Sequence, residues 1–162
     1  MKNHKDESSE LIQLVGFKLG EEEFAVDINK VKEINKLMTI TKIPNSHDFI
    51  EGVVNLRGKI VPILSLRERL GMERKVNDAH TKIIVTEIEG ALIGFIVDEV
   101  TEVLRIASEI IESTPSVVAG VEQELINGIA KYGDKLLILL NLEKILSQKE
   151  IENVQEEILH TN

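Results

Sequence analysis

The 162 residues carry 28 acidic against 19 basic side chains, a net charge of −9, with 43% apolar residues and only four Phe and one Tyr as aromatics. That balance suits a globular chain with a sizeable core and argues against broad phosphate-backbone binding or base stacking. The lack of cysteine excludes disulfides, thiol catalysis and Cys-zinc sites.

In chain order, residues 1–10 are charged and expected to be a disordered tail, with no signal-peptide apolar core, so the cytoplasm is the default compartment. Leu14–Leu19 reads as a strand with Val15, Phe17 and Leu19 on one face, followed by a turn at Gly20-Glu21-Glu22 and a return strand over Phe24–Ile28. Asn29–Ile34 reads as a helical turn, and Leu37–Ile43 alternates loosely up to Pro44, which excludes a central strand there. Asn45-Ser46-His47-Asp48 is expected to start a short helix. Gly52–Leu66 then holds two apolar runs split by a glycine-containing break, a hairpin pattern with Arg57-Gly58 at its tip. Ser65-x-x-Glu68 forms a capping box for a short helix that Gly71 closes.

Met72–His80 is a polar connector. Strands are expected at Lys82–Ile88 and Ala91–Val97 around a Glu89-Gly90 turn. Asp98–Ile106 mirrors the Asn29–Ile34 region, and Ser108–Gly120 is irregular around Pro115. A second hairpin, tipped at Gly133-Asp134, fills Gly128–Leu142, and Asn141 caps a helix to Leu146. Ser147–Glu150 is another capping box, opening a last helix whose Ile151, Val154, Ile158 and Leu159 keep helical spacing. The longest apolar run, Leu136–Leu140, is too short to span a membrane.

The chain repeats itself. A shift of 76 carries Gly52 to Gly128, Lys59 to Lys135 and Ser65 to Asn141; a shift of 69 carries Phe24, Val31 and Ile34 to Ile93, Val100 and Val103; Pro44 and Pro115 lie 71 apart. Two copies of one unit are expected, spanning about 11–75 and 80–147, each a small β-barrel, with the crossover at Met72–His80.

No catalytic constellation is legible. Gly52…Gly58-Lys59 has the wrong spacing for a phosphate loop and is followed by a strand. His4, His47, His80 and His160 lack ligand-like spacing, and Ser46 already has a capping role beside His47. Glu21-Glu22-Glu23 reads as a solvated turn; Glu33, Asp98, Glu99 and Glu102 are the only acids for an enzyme cleft, a weaker reading than a binding protein. Neither metal nor cofactor is expected. Arg57 stands out at the tip of the most apolar hairpin, because its counterpart, Gly133, shows that the architecture does not need an arginine there.

Asn55-Leu56-Arg57-Gly58-x-Ile60-x-Pro62-Ile63 with Leu66-Arg67 resembles the signature of the CheW-like family of bacterial chemotaxis coupling proteins, as do Val31-Lys32-Glu33-Ile34, Val97-Asp98-x-Val100-x-x-Val103-Leu104 and Leu137-Ile138-Leu139-x-Asn141. The resemblance spans Leu11–Leu146; one departure is Ser65, where the family usually has Asp, and Ser keeps the capping oxygen but loses the charge. The resemblance implies a mostly β fold of two five-stranded SH3-like barrels side by side with short helices and a C-terminal helix. It implies a non-catalytic adaptor coupling methyl-accepting chemoreceptors to the histidine kinase CheA in two-component signalling. Such a protein works in the cytoplasm, recruited to receptor arrays at the inner membrane face, without nucleic acid or membrane insertion. It also implies receptor contacts at Val31, Glu33, Gly52, Asn55, Arg57 and Val103. Kinase contacts are expected on the proline-broken segments, at Ile40, Ile43, Glu112 and Val117. The alternatives are a related system controlling surface motility and a coupler linked to a phospho-receiver domain.

Overall fold

The central strands of this chain carry runs buried on both faces, as in Val61–Leu64, Ile83–Thr86 and Leu137–Leu140, because they pack between two cores. We describe the fold from a computed structural model, which covers residues 10–44, 49–113, 117, 118 and 120–146. The helix expected at Asn45–Asp48, the tail before Glu10 and the helix from Gln148 lie outside the described residues.

Thirteen strands are described: β1 Leu11–Leu19, β2 Glu22–Asp27, β3 Val31–Lys36, β4 Ile50–Leu56, β5 Lys59–Ser65, β6 Lys82–Ile88, β7 Ala91–Val97, β8 Glu99–Ala107, β9 Ile111–Glu112, β10 Val117–Val118, β11 Val121–Glu122, β12 Ile126–Tyr132 and β13 Lys135–Leu140. Two four-residue helices, α1 Leu66–Arg69 and α2 Leu142–Ile145, follow β5 and β13. One sheet has six strands in the order β8-β1-β2-β13-β12-β9, another has five in the order β3-β6-β7-β5-β4, and β10 and β11 pair separately. The expectation of two five-stranded units thus gains a strand: the two-residue β9 pairs with β12 at the end of the larger sheet.

The duplication holds down to register. The pairs Gly52↔Ile63 and Val54↔Val61 in the β4–β5 hairpin recur, 76 residues on, as Gly128↔Leu139 and Ala130↔Leu137 in β12–β13. The pairs Val15↔Val26 and Ile84↔Phe95 are related by 69, and so are Val103↔Val15 and Ile34↔Ile84 with the order of copies exchanged. Sheet membership, however, does not follow the expected division into 11–75 and 80–147. The β1–β2 hairpin of the first copy joins the second copy's β8, β12 and β13, and β6–β7 of the second joins β3, β4 and β5 of the first. The exchange is sealed by parallel pairing of β2 with β13 and of β7 with β5. Local repeats do not reveal it, because a hairpin presents the same edge whichever copy it joins.

Three cores result. One lies inside the six-stranded sheet around Leu14, Leu104 and Leu137; one lies inside the five-stranded sheet around Val54, Ile63 and Ile83; the largest joins the two sheets, with Phe17, Phe24 and Ile138 meeting Ile84, Ile93 and Phe95. Phe17 and Phe24, fully buried, stack at 5.8 Å across β1–β2, so truncating either to Ala is expected to cost about 3–5 kcal/mol.

Asn29–Ile34 is not the expected helical turn. A single 3-10 turn covers Ile28–Lys30, capped by Asp27, whose Oδ1 accepts the Asn29 amide at 2.8 Å; β3 then runs to Lys36. Burial along β3 alternates with period two, Glu33 and Asn35 facing in and Ile34 facing out, so cross-strand pairing with β6 overrides the helical spacing of Val31 and Ile34. Its counterpart β8 is likewise a strand.

Candidate functional site

The β4–β5 turn places Arg57 as the spacing suggests. Arg57 and Gly58 both take left-handed φ, +52° and +88°, the pattern of a two-residue hairpin turn. The Asn55 side chain fixes it, its Oδ1 accepting the Gly58 amide at 2.8 Å. A left-handed arginine is strained, but Glu89 takes the same φ of +52° at the β6–β7 turn, so conformation alone does not mark a site.

The partner of Arg57 is the more telling feature. Its guanidinium reaches β3, donating from Nη1 to Glu33 Oε1 at 3.2 Å and from Nη2 to Glu33 Oε2. β3 and β4 are the two outer strands of the five-stranded sheet, so this forked pair bridges opposite edges. The segment that follows β3 also reaches β4, through the Thr41–Val53 bridge with two backbone hydrogen bonds of 2.8 Å. Bonding to Arg57 lowers the Glu33 pKa, and bonding to Glu33 raises that of Arg57, so both stay charged through the neutral range. Arg57 remains 71% exposed and Glu33 only 25%. Two of its five N–H donors are engaged, leaving the others for an incoming acceptor.

The structure therefore brings Glu33, Asn55 and Arg57 together. Val31 is half-buried on the margin of the inter-sheet core, as is its counterpart Val100. Val103 is 55% exposed on β8 of the other sheet, at the position related to Ile34 by the 69-residue shift. Gly52 is buried rather than presented: a Cβ there would lie 2.2 Å from the Thr41 carbonyl oxygen, so the glycine lets the 40–41 segment close onto β4. Of the kinase candidates, Ile40 is half-buried against the five-stranded sheet's core and Ile43 is half-buried beyond it. Glu112 is exposed on β9 opposite Ile129, the counterpart of the Thr41–Val53 bridge. Val117 pairs with Glu122 in the small β10–β11 ladder.

A second cluster was not legible. Arg67 of α1 makes a forked pair with Asp98, between β7 and β8, with Nε–Oδ1 at 2.9 Å and Nη2–Oδ2 at 2.5 Å. Arg67 also donates to the Glu73 carbonyl, and the Gly20 amide donates to Asp98 Oδ2 at 2.7 Å. Burial pushes the Asp98 carboxyl up, but Arg67 and the Gly20 amide outweigh it and hold the carboxyl below its ordinary value. Asp98, a candidate cleft acid by sequence, is thus a structural anchor, as its strand-end position allowed but did not specify. The Ser65 hydroxyl accepts the Glu68 amide at 3.2 Å, keeping its capping role without the family's usual charge. Its capping box is half made: the Ser65 amide goes to the Phe49 carbonyl, while the Glu68 carboxylate takes Arg74. Next to these residues opens a polar cavity of about 320 Å³ lined by Arg67, Arg74, Lys75, Glu51 and Asp98, its cations already in ion pairs. Among the described residues no group of three or more His, Asp or Glu could hold a metal, and no helix is long and apolar enough to cross a membrane.

The family model described as CheW-like domain matches residues 13–150. A chemotaxis protein CheW of Klebsiella aerogenes is 39% identical over 135 residues, 83% of this chain and 81% of that protein. The chemotaxis protein CheV3 of Helicobacter pylori is 31% identical over 126 residues, 76% of this chain but 40% of that longer protein. The crystal structure of the scaffolding protein TtCheW from Thermoanaerobacter tengcongensis superposes with a TM-score of 0.79 at 39% identity, covering 85% of this chain and 89% of that one. With the hairpin signature in place and the family matched over most of its length, this chain belongs to the CheW-like domain family.

Proposed function

We propose that this chain is a non-catalytic adaptor that couples chemoreceptors to a CheA-type histidine kinase. The observation that carries the reading is the Arg57–Glu33 pair: a rigid turn holds an exposed guanidinium, with donors to spare, at the seam of a sheet. In this reading both sheets curl into SH3-like barrels, one drawn together where the Thr41–Val53 bridge ties the segment after β3 to β4, the other where β9, which follows β8, pairs with β12. The apolar Val31 and Val103 would line the path of a receptor helix whose acceptor meets Arg57, with Glu33 and Asn55 holding Arg57 in place. The kinase's regulatory domain would dock on the equivalent edge segments, at Ile40–Ile43 and at Glu112–Val117, in a heterologous contact. The adaptor would then act at the cytoplasmic face of the membrane, recruited by its partners.

Arg57→Ala is expected to weaken receptor binding by about 1–3 kcal/mol while leaving kinase binding intact. Ile40→Glu or Val117→Glu is expected to do the reverse. If both charged variants fold and keep the kinase, the kinase surface is misplaced; if folded Arg57→Ala keeps full receptor affinity, Arg57 is an ordinary surface residue. The match to part of CheV3 favours one second reading, a coupling module working beside a receiver domain.

A further inference from the structure

Each copy brings the same three apolar positions to the margin of the inter-sheet core. Val31 and Val100 are half-buried there. Ile34 and Val103 pair with Ile84 and Val15, two members of that core, and are 39% and 55% exposed. Ile60 and Leu136, three residues past Arg57 and Gly133, are exposed as well. The first two pairs are related by the shift of 69 and the third by that of 76. An apolar path with such internal symmetry would accept a helix in either direction.

Charge breaks the symmetry. Glu33 and Glu102 are counterparts, but Glu33 is matched by its forked pair with Arg57, whose own counterpart is Gly133. Glu102 is exposed and, among the described residues, stands in no ion pair. Lys135 is bonded to Glu23 at 2.8 Å and feels Glu102 only through space. Lys131 and Asp134, on either side of Gly133, offset each other. One end of the path therefore offers a guanidinium with donors to spare, and the other an unmatched carboxylate.

We propose that Glu102 takes a basic side chain of the receptor helix, at the end opposite the acceptor that meets Arg57, so that the path admits the helix in one direction only. The inference rests on the adaptor reading. A cation on the helix supplies in trans what the second copy lacks at Gly133, and a helix laid the other way sets like charges together at Arg57 and at Glu102.

Sedimentation of the full chain with receptor-containing membranes tests it. Glu102→Lys and Gly133→Arg are each expected to weaken receptor binding about tenfold, the first by reversing the charge and the second by filling Glu102 in cis. The turn can hold that arginine, since Gly133 has φ +63° and Arg57 has +52°. Glu102→Gln, which keeps the shape of the side chain, should bind more weakly at low salt and match the unaltered chain at high salt. Glu124→Lys makes the same charge change as Glu102→Lys on an exposed residue just before β12, away from the turn, and should leave binding as it is. Arg57→Gly combined with Gly133→Arg moves the cation to the other end and should recover binding that Arg57→Gly alone loses; no recovery overturns the claim of direction. If Glu102→Lys and Gly133→Arg pellet like the unaltered chain while Arg57→Ala does not, the receptor path stands and Glu102 has no part in it. If Arg57→Ala also pellets unchanged, the receptor site of the adaptor reading fails too. A loss with Glu124→Lys as large as that with Glu102→Lys would make the effect one of net charge and overturn the proposal.

Discussion

Arg67–Asp98 and Glu143–Lys30 each tie a short helix to the chain just past the second strand of the exchanged hairpin; Arg67 and Glu143 are 76 residues apart, but Asp98 and Lys30 are one residue out of the 69-residue register, and the two are not equivalent joints. The first is a forked pair whose side chains are 16% and 13% exposed and which gathers the Gly20 amide and the Glu73 carbonyl. The second is a single contact with side chains 41% and 58% exposed. An ion pair stands near this joint in both copies, with its sign inverted, its hairpin-side partner moved by one residue and its burial changed. Charge at a joint is thus constrained as a pair, and only the buried copy has become a hub.

The largest effect expected is at the seam that the two sheets share by symmetry. Gly52→Ala sets a Cβ against the Thr41 carbonyl oxygen at 2.2 Å on a backbone with φ +149°, whereas Gly128→Ala meets the Ile111 Cγ2 methyl at 2.4 Å without a left-handed φ. Chemical denaturation should show a loss of about 3 kcal/mol or more for Gly52→Ala and a smaller loss for Gly128→Ala. Equal losses would erase the difference between the two seams.

Next comes the buried joint. Asp98→Ala leaves Arg67 without its carboxylate and should cost about 2–3 kcal/mol by the same measurement. Because the Asp98 pKa is lowered by folding, its stabilisation is complete above the unfolded value of about 3.9 and is lost as pH falls through the lower folded value. Acid titration of Asp98→Asn should lack that component. The exposed joint should barely register: Lys30→Ala or Glu143→Ala is expected to cost at most about 0.5 kcal/mol and to lose even that at high salt. A cost at Lys30 matching that at Asp98 would make the joints equals after all.

The same contrast explains what could be read from the sequence. Arg57-Gly58, the Ser65 and Asn141 caps and the Gly71 stop follow local rules of turn and cap chemistry, and each stands where the rule puts it. The Schellman closure at Gly71, with Gly71 bonding Glu68 and Met72 bonding Arg67, is equally local. The hairpin exchange is not local, since β1–β2 has the same pattern whether it joins its own copy or the other. β3 departs from the helical spacing of Val31 and Ile34 because pairing with β6 imposes a period of two, which puts Glu33 and Asn35 on the side of Val31 and leaves Ile34 outward. Glu33 and Arg57 stand 24 residues apart in sequence, and their meeting depends on the curl of a whole sheet, so only the family resemblance joined them in advance.

The coupling role itself is tested most directly by sedimenting receptor-containing membranes with the kinase, in the presence and absence of this chain. The kinase is expected to pellet with the membranes only when the chain is added, and to remain in the supernatant when Arg57→Ala replaces it at concentrations below the weakened affinity. If the chain pellets with the membranes and the kinase still stays in solution, it binds receptors without coupling them, and the adaptor account is wrong.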